Sequence, residues 1–261
     1  MTSPPAYLDA KRELDDRSID REMLHRVFSA LPEDPLIIEF GAGTLTMLER
    51  VIEWGLLDNG TWVAVDRNEG ALRHGRSRLR ERSDVTVQEH ELTVGDLFVH
   101  LCPSEVTAYE PAGADLLVGC AFFDLVDMTS LSHLRSSADR LYAPITYTGT
   151  TTFSPDHPDD DRVLSAYVDH MEHHRPGTPR GGQALDQWLS SVCDTANSDW
   201  HIEPPYTFAE SVVFDHVLDT IDRSLQATGC DPTAWVRDRR AQFSDGELSY
   251  TASNVDILGI P

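Results

Sequence analysis

The residues of this chain best suited to chemistry lie between Leu36 and Asp66. An apolar run, Leu36-Ile37-Ile38-Glu39-Phe40, ends in Gly41-Ala42-Gly43, and a helix-like segment from Leu45 to Trp54 follows. Glycines there permit a tight turn and close approach of the backbone to a ligand, while a helix N-terminus offers amides without intrahelical partners. A second strand, Thr61-Trp62-Val63-Ala64-Val65, then delivers Asp66, 23 positions beyond Gly43. A carboxylate so placed can accept two hydrogen bonds from a ribose diol. The arrangement suits any adenosine-bearing cofactor, so a dinucleotide and a methyl-donating nucleoside are both open at this point.

Two details separate them. The dinucleotide fingerprint expects glycine at the sixth place of G-x-G-x-x-G, where this chain has Thr46. Glu39 closes the first strand two residues before the glycine turn, and a carboxylate there would meet a pyrophosphate with like charge. S-adenosylmethionine has no phosphate and brings an ammonium and a sulfonium. Glu39 favours that cationic end while helix amides receive the carboxylate. The charge logic prefers the methyl donor over a nicotinamide cofactor.

Glu39-Phe40-Gly41-Ala42-Gly43-Thr44-Leu45 resembles motif I of class I S-adenosylmethionine-dependent methyltransferases, usually E/D-x-G-x-G-x-G, with Leu45 in place of the last glycine. Asp66 in Val-Ala-Val-Asp-Arg-Asn looks like that family's ribose-binding acid, with Arg67 beside it. The resemblance also implies an acid near the adenine amine after the third strand. Asp96 in Val94-Gly95-Asp96-Leu97 is the choice, with Glu89 or Glu91 as alternatives. The segment Gly119-Cys120-Ala121-Phe122-Phe123-Asp124 follows the fourth strand, where the family opens its methyl-transfer pocket. The implied cofactor site is thus Glu39 with Gly41, Ala42 and Gly43, then Asp66 and Arg67, Asp96 and Leu97, and Cys120. The N/D-P-P-Y/F signature of enzymes that methylate nucleobase or glutamine amino groups is missing, which argues against such acceptors and for a small molecule. Over nearly the full length the chain is also similar to a narrower group of methyltransferase-like proteins. That similarity rests on Glu49-Arg50-Val51-Ile52-Glu53-Trp54-Gly55, Thr151-Thr152-Phe153-Ser154-Pro155-Asp156-His157-Pro158, Ser198-Asp199-Trp200 and Gly246-Glu247-Leu248-Ser249-Tyr250.

Methyl transfer from a sulfonium is an in-line displacement in which alignment does most of the work. A base is needed only if the acceptor carries a proton that must leave early. The candidates are His157, Asp160 and Tyr147, with Asp159 beside them and Asp199 more remote. His170 and His174 stand at metal-ligand spacing on a helix, but histidines beside acids on a solvated helix are commonplace, so no metal site is expected. Trp200 and Tyr167 suit either core packing or stacking on an aromatic acceptor. With no evident base, a protein of the same fold that binds the cofactor without turnover is the alternative.

The elements that must position these groups alternate. Residues 1–31 read as a helical cap, and residues 36–153 as a cofactor-binding core. In that core a third strand begins at Val85-Thr86-Val87, a fourth spans Asp115 to Gly119, a helix covers Thr129 to Leu141, and a fifth strand runs from Pro144 to Thr152. Leu185, Trp188, Leu189 and Val192 mark an amphipathic helix, residues 199–203 a sixth strand, Phe214 to Leu225 a buried helical stripe, and Leu248 to Ile260 a last strand. Residues 154–182 and 208–242 read as insertions forming a substrate lid. The expected architecture is a single α/β domain over 1–261. It is a Rossmann-like class I methyltransferase fold, a mostly parallel seven-stranded sheet flanked by helices, with helical insertions in the C-terminal half.

Composition narrows the partners. Forty-four acidic side chains against 21 lysines and arginines give a formal net charge of -23, and Lys11 is the only lysine. Such a field opposes phosphate backbones, and the run Arg73, Arg76, Arg78, Arg80 and Arg82 points around several sides of a helix, so no nucleic-acid partner is expected. Self-repulsion of this size points to a salt-rich surrounding, with a simply acidic surface as the alternative. No apolar run reaches membrane-span length, and the opening MTSPPAYLDAKRELDD is charged where a signal peptide is apolar. A cytoplasmic protein without a membrane partner is expected. Cys102, Cys120, Cys193 and Cys230 form no C-x-x-C pair and are read as free buried thiols. The oligomeric state is left open.

Overall fold

A computed structural model describes residues 4–261, apart from residues 89, 112 and 227. Two helices, α1 (Pro4–Ser18) and α2 (Arg21–Ser29), lead into β1 (Leu36–Phe40), α3 (Thr46–Glu53), β2 (Asn59–Val65) and α4 (Glu69–Leu79). A hairpin of β3 (Val85–Val87) and β4 (Glu91–Val94) precedes β5 (Asp96–Cys102), β6 (Ala114–Val118) and β7 (Ala138–Ser154). The second half holds α5 (Asp160–His174), α6 (Gly181–Trp188), β8 (Ser191–Asn197), β9 (Trp200–Ile202), α7 (Phe208–Leu225), α8 (Thr233–Ser244) and β10 (Ser249–Ile260).

Local chemistry explains several boundaries. Asp20 caps α2 by accepting the Met23 N–H at 2.6 Å, and Asn68 caps α4 through Ala71 at 3.2 Å. α7 opens on a capping box in which Thr207 and Glu210 satisfy each other's backbone N–H.

The strands join one sheet in the order β3-β4-β5-β2-β1-β6-β7-β10-β8, with β9 also on β10. Its centre, β5-β2-β1-β6-β7, is parallel, and the margins are antiparallel. Successive residues face opposite layers: Ile37 and Trp62 pack with α2, α3 and α7, while Ile38 and Val63 pack with α6 and the Met128–Leu134 segment. The chain leaves β1 for β2 on one side and comes back to β6 on the other. The crevice at the C-terminal ends of these strands is therefore the place such a sheet offers a ligand.

Among the described residues the sheet has ten strands where seven were expected. Val85-Thr86-Val87 does not begin the third parallel strand; it is one arm of the β3–β4 hairpin, and the parallel strand is β5. Thr129 to Leu141 is not an α-helix either. Met128–Leu134 forms 3₁₀ turns, and β7 already starts at Ala138. Serines explain this: the hydroxyls of Ser130 and Ser137 donate to the carbonyls of Asp127 and Leu134, competing with an α-helical ladder. α6 ends at Trp188, so Val192 belongs to β8. No described helix is long and apolar enough to cross a membrane.

Candidate functional site

β1 carries Glu39 to the sheet's C-terminal edge, where the chain turns through Gly41 (φ +66°) and Gly43 (φ +53°). A Cβ on Gly41 would lie 2.3 Å from Phe122 Cδ2, so the turn fits against the loop after β6 only as glycine. Leu45 holds φ +63° at the N-cap of α3, the left-handed conformation that the absent third glycine would adopt freely. Leu45 is fully buried, and packing holds it there. Leu45→Gly should relieve about 1–2 kcal/mol of backbone strain but lose about 2–5 kcal/mol of core packing. Packing wins, so the variant is expected to melt below wild type in a calorimeter; a rise would show that strain dominates.

Glu39 is 2% exposed and accepts the Trp62 Nε1–H at 3.0 Å. Burial pushes its carboxyl up to about 8; the Trp62 bond and the Arg50 guanidinium oppose the shift, and Asp66 adds to it. Asp66 accepts the Gly43 N–H at 2.8 Å on one oxygen and the Asn68 N–H at 2.7 Å on the other, which fixes both the turn and the carboxylate. Burial pushes the Cys120 thiol up to about 12, so it stays neutral. These groups surround a cavity of about 480 Å³ whose lining also includes Gly41, Ala42, Gly43 and Arg67. Phe122 and Leu125 border it from the loop after β6, Pro176 from the segment after α5, and Leu8, Lys11 and Asp15 from α1.

Asp96 and Leu97 are not in this cavity. They pair with Asn59 and Gly60 at the start of β2, whereas the cavity lies beyond the far end, where Cys102 pairs with Val65. Asp96 opens β5 directly after the turn at Gly95 (φ +60°), and Leu97 is core. Glu91 lies on β4 opposite His100, and Glu89 lies outside the described residues. The acid that does border the cavity after the third parallel strand is Glu105, with Val106 and Thr107. The apolar run Leu97-Phe98-Val99-His100-Leu101 closed by Pro103 was the available signal for that strand's end.

Nor does the cavity contain His157, Asp160 or Tyr147. Asp160 accepts from Arg239 at 2.5 and 2.6 Å and from Trp235 Nε1 at 2.7 Å, a structural knot joining α5 to α8. Burial alone would raise its carboxyl, but these bonds hold it below the usual range. His157 leans toward Asp238, 3.4 Å away, and accepts the Asp159 N–H. Tyr147, pushed up to about 12 by burial, hydrogen-bonds Thr151 and borders a separate hollow with Tyr167. Asp159 pairs with Arg162, and Asp199 accepts the Asn254 N–H. The rings of His170 and His174 lie 5.0 Å apart, and among the described residues no third His, Cys, Asp or Glu completes a ligand set.

The reading missed one further group. Asp124 Oδ1, within the loop between the lining residues Phe122 and Leu125, is buried with no hydrogen-bond partner among the described residues, and burial pushes its carboxyl up to about 6. Arg73, Arg78 and Arg82 are engaged with acids. The cysteines are free, and Cys193 is exposed on β8, against the expectation of burial.

No protein-family model and no curated protein matches the chain. Solved structures do. A candidate methyltransferase from Bacillus halodurans superposes with a TM-score of 0.53 at 11% identity, covering 91% of this chain and 97% of that one. The YcgJ protein from Bacillus subtilis gives 0.50 at 11% identity over 91% and 95% of the two chains. A SAM-dependent methyltransferase from Thiobacillus denitrificans, solved with S-adenosyl-L-homocysteine, gives 0.49 at 12% identity over 92% and 90%. The chain has the class I S-adenosylmethionine-dependent methyltransferase fold.

Proposed function

We propose that this protein transfers a methyl group from S-adenosylmethionine to a small-molecule acceptor. The observation that carries the reading is Glu39, a nearly fully buried carboxyl at the end of β1, beside a glycine turn and bordering the cavity. A buried acid without a matching positive charge is costly, and its raised pKa expresses that cost. A cationic ligand group removes the cost; a pyrophosphate would increase it.

The residues present fit the donor's three parts. All three acids border the cavity: Glu39 would receive a positive amino-acid tail, Asp66, held by the Gly43 and Asn68 N–H groups, would accept from a ribose diol, and Glu105 would accept from an adenine amine. When bound, the donor supplies a methyl group on a positively charged sulfur. The chain's own residues align and desolvate: Cys120, Ala121 and Phe122 form a largely apolar border, and the neutral Cys120 thiol does not compete as a nucleophile. α1 and Pro176 wall a cavity of about 480 Å³, a size that favours a compact acceptor over a polymer. In this reading residues 1–31 cap the donor, residues 36–153 hold it, and 154–182 with 208–242 shape the acceptor end.

The test is transfer of radiolabelled methyl from the donor in an extract, followed by fractionation. Label should accumulate among small metabolites when the full chain is added. Label in protein or nucleic acid would overturn the acceptor class, and binding without any transfer would favour a protein that has lost turnover.

A further inference from the structure

α1 turns Leu8, Lys11 and Asp15, at i, i+3 and i+7, onto the cavity. Its flank is latched to the core by ion pairs of Asp9 with Arg78 and of Arg12 with Glu49 and Glu53, and by a 2.8 Å hydrogen bond between His74 Nε2 and Asp9. The inward pair is unusual for this chain. Lys11, its only lysine, is 9% exposed, and Nζ donates to Asp15 Oδ2 at 2.5 Å while lying 4.8 Å from the Trp200 ring. Asp15 is 3% exposed, and its other oxygen, Oδ1, is buried with no hydrogen-bond partner among the described residues.

Burying such a pair costs more solvation than an i, i+4 contact returns, so helix stability does not explain it. A half-satisfied buried carboxylate at a cavity wall calls for a donor from the ligand. Lys11, Asp15, Glu39 and Cys120 all line the one cavity, and the Cys120 thiol feels the charges of the other three. The lining sets five acids, Asp15, Glu39, Asp66, Glu105 and Asp127, against two bases, Lys11 and Arg67, so it suits a ligand that carries positive charge beside its carboxylate.

We infer that Lys11 and Asp15 form the second half of an amino-acid clamp, Lys11 taking the carboxylate of the donor's tail and Asp15 Oδ1 joining Glu39 on its ammonium. The inference rests on the donor proposed above.

Calorimetric titration of the full chain with two nucleosides tests it. S-adenosylhomocysteine carries the tail; 5′-methylthioadenosine has the same nucleoside and thioether without it. Asp15→Asn and Lys11→Gln should each weaken S-adenosylhomocysteine by about tenfold or more and leave methylthioadenosine unchanged. Wild-type affinity for S-adenosylhomocysteine in both variants would overturn the clamp alone. So would an equal loss of both nucleosides, which would mark a packing role. Failure of wild type to bind either one would remove the donor reading, and the clamp with it.

Discussion

Glu39→Gln is expected to weaken S-adenosylhomocysteine binding roughly ten- to a hundredfold while making the ligand-free protein more stable in alkali. The first effect is the loss of a charge-assisted hydrogen bond, about 1.5–3 kcal/mol. The second follows from linkage. Glu39 has its carboxyl raised from the ordinary 4.5 to about 8, so between these values the folded state holds a proton that the unfolded chain releases. Stability on this group's account is complete below 4.5 and falls as pH rises, by at most about 1.4 kcal/mol per unit, until about 8. Glutamine does not titrate and keeps an oxygen for Trp62 Nε1. Melting curves from pH 5 to 9 should therefore diverge in the variant's favour as the affinity falls. A variant weaker in both properties would point to packing alone.

Asp160→Asn should behave in the opposite way: a large loss of stability with donor affinity intact. Arg239 is fully buried, and Asp160 is its counter-ion, both carboxylate oxygens accepting from one guanidinium nitrogen. Neutralising the acid leaves an uncompensated buried charge, at a cost of about 3–5 kcal/mol. In a chain of this size that lowers the melting temperature by on the order of 10 °C. The pH dependence has the sign opposite to that of Glu39. Asp160 is held below its ordinary 3.8, so its stabilisation is present above that value and is lost as acid protonates the folded carboxyl. Thermal melting with parallel titration at 10 °C separates the two roles. Unchanged melting with weakened binding would return Asp160 to the site.

What could be read from residues alone follows the range of the interactions. Leu36 to Asp66 is a strand, turn, helix and strand in direct succession, so its glycines and acids declare their places locally. Asp96 was misplaced because Val85-Thr86-Val87 has strand character of its own, and nothing local says that it folds back as a hairpin. Once β5 is recognised, the acid after it is Glu105. Asp160 looked available because Arg239, 79 residues downstream, is invisible in its neighbourhood. Lys11 and Asp15 sit in a helix whose charges interleave on every side, and only the docking of α1 decides which of them turn inward.

Titration of the full chain with S-adenosylhomocysteine at pH 7, in buffers of different ionisation enthalpy, addresses Glu39 most directly. With its carboxyl at about 8 it is about nine-tenths protonated there, and receiving an ammonium requires it to ionise. One molecule should bind with release of close to one proton, and Glu39→Gln should abolish that release. Tight binding without proton release, or no binding at all, would contradict the role given to this carboxylate.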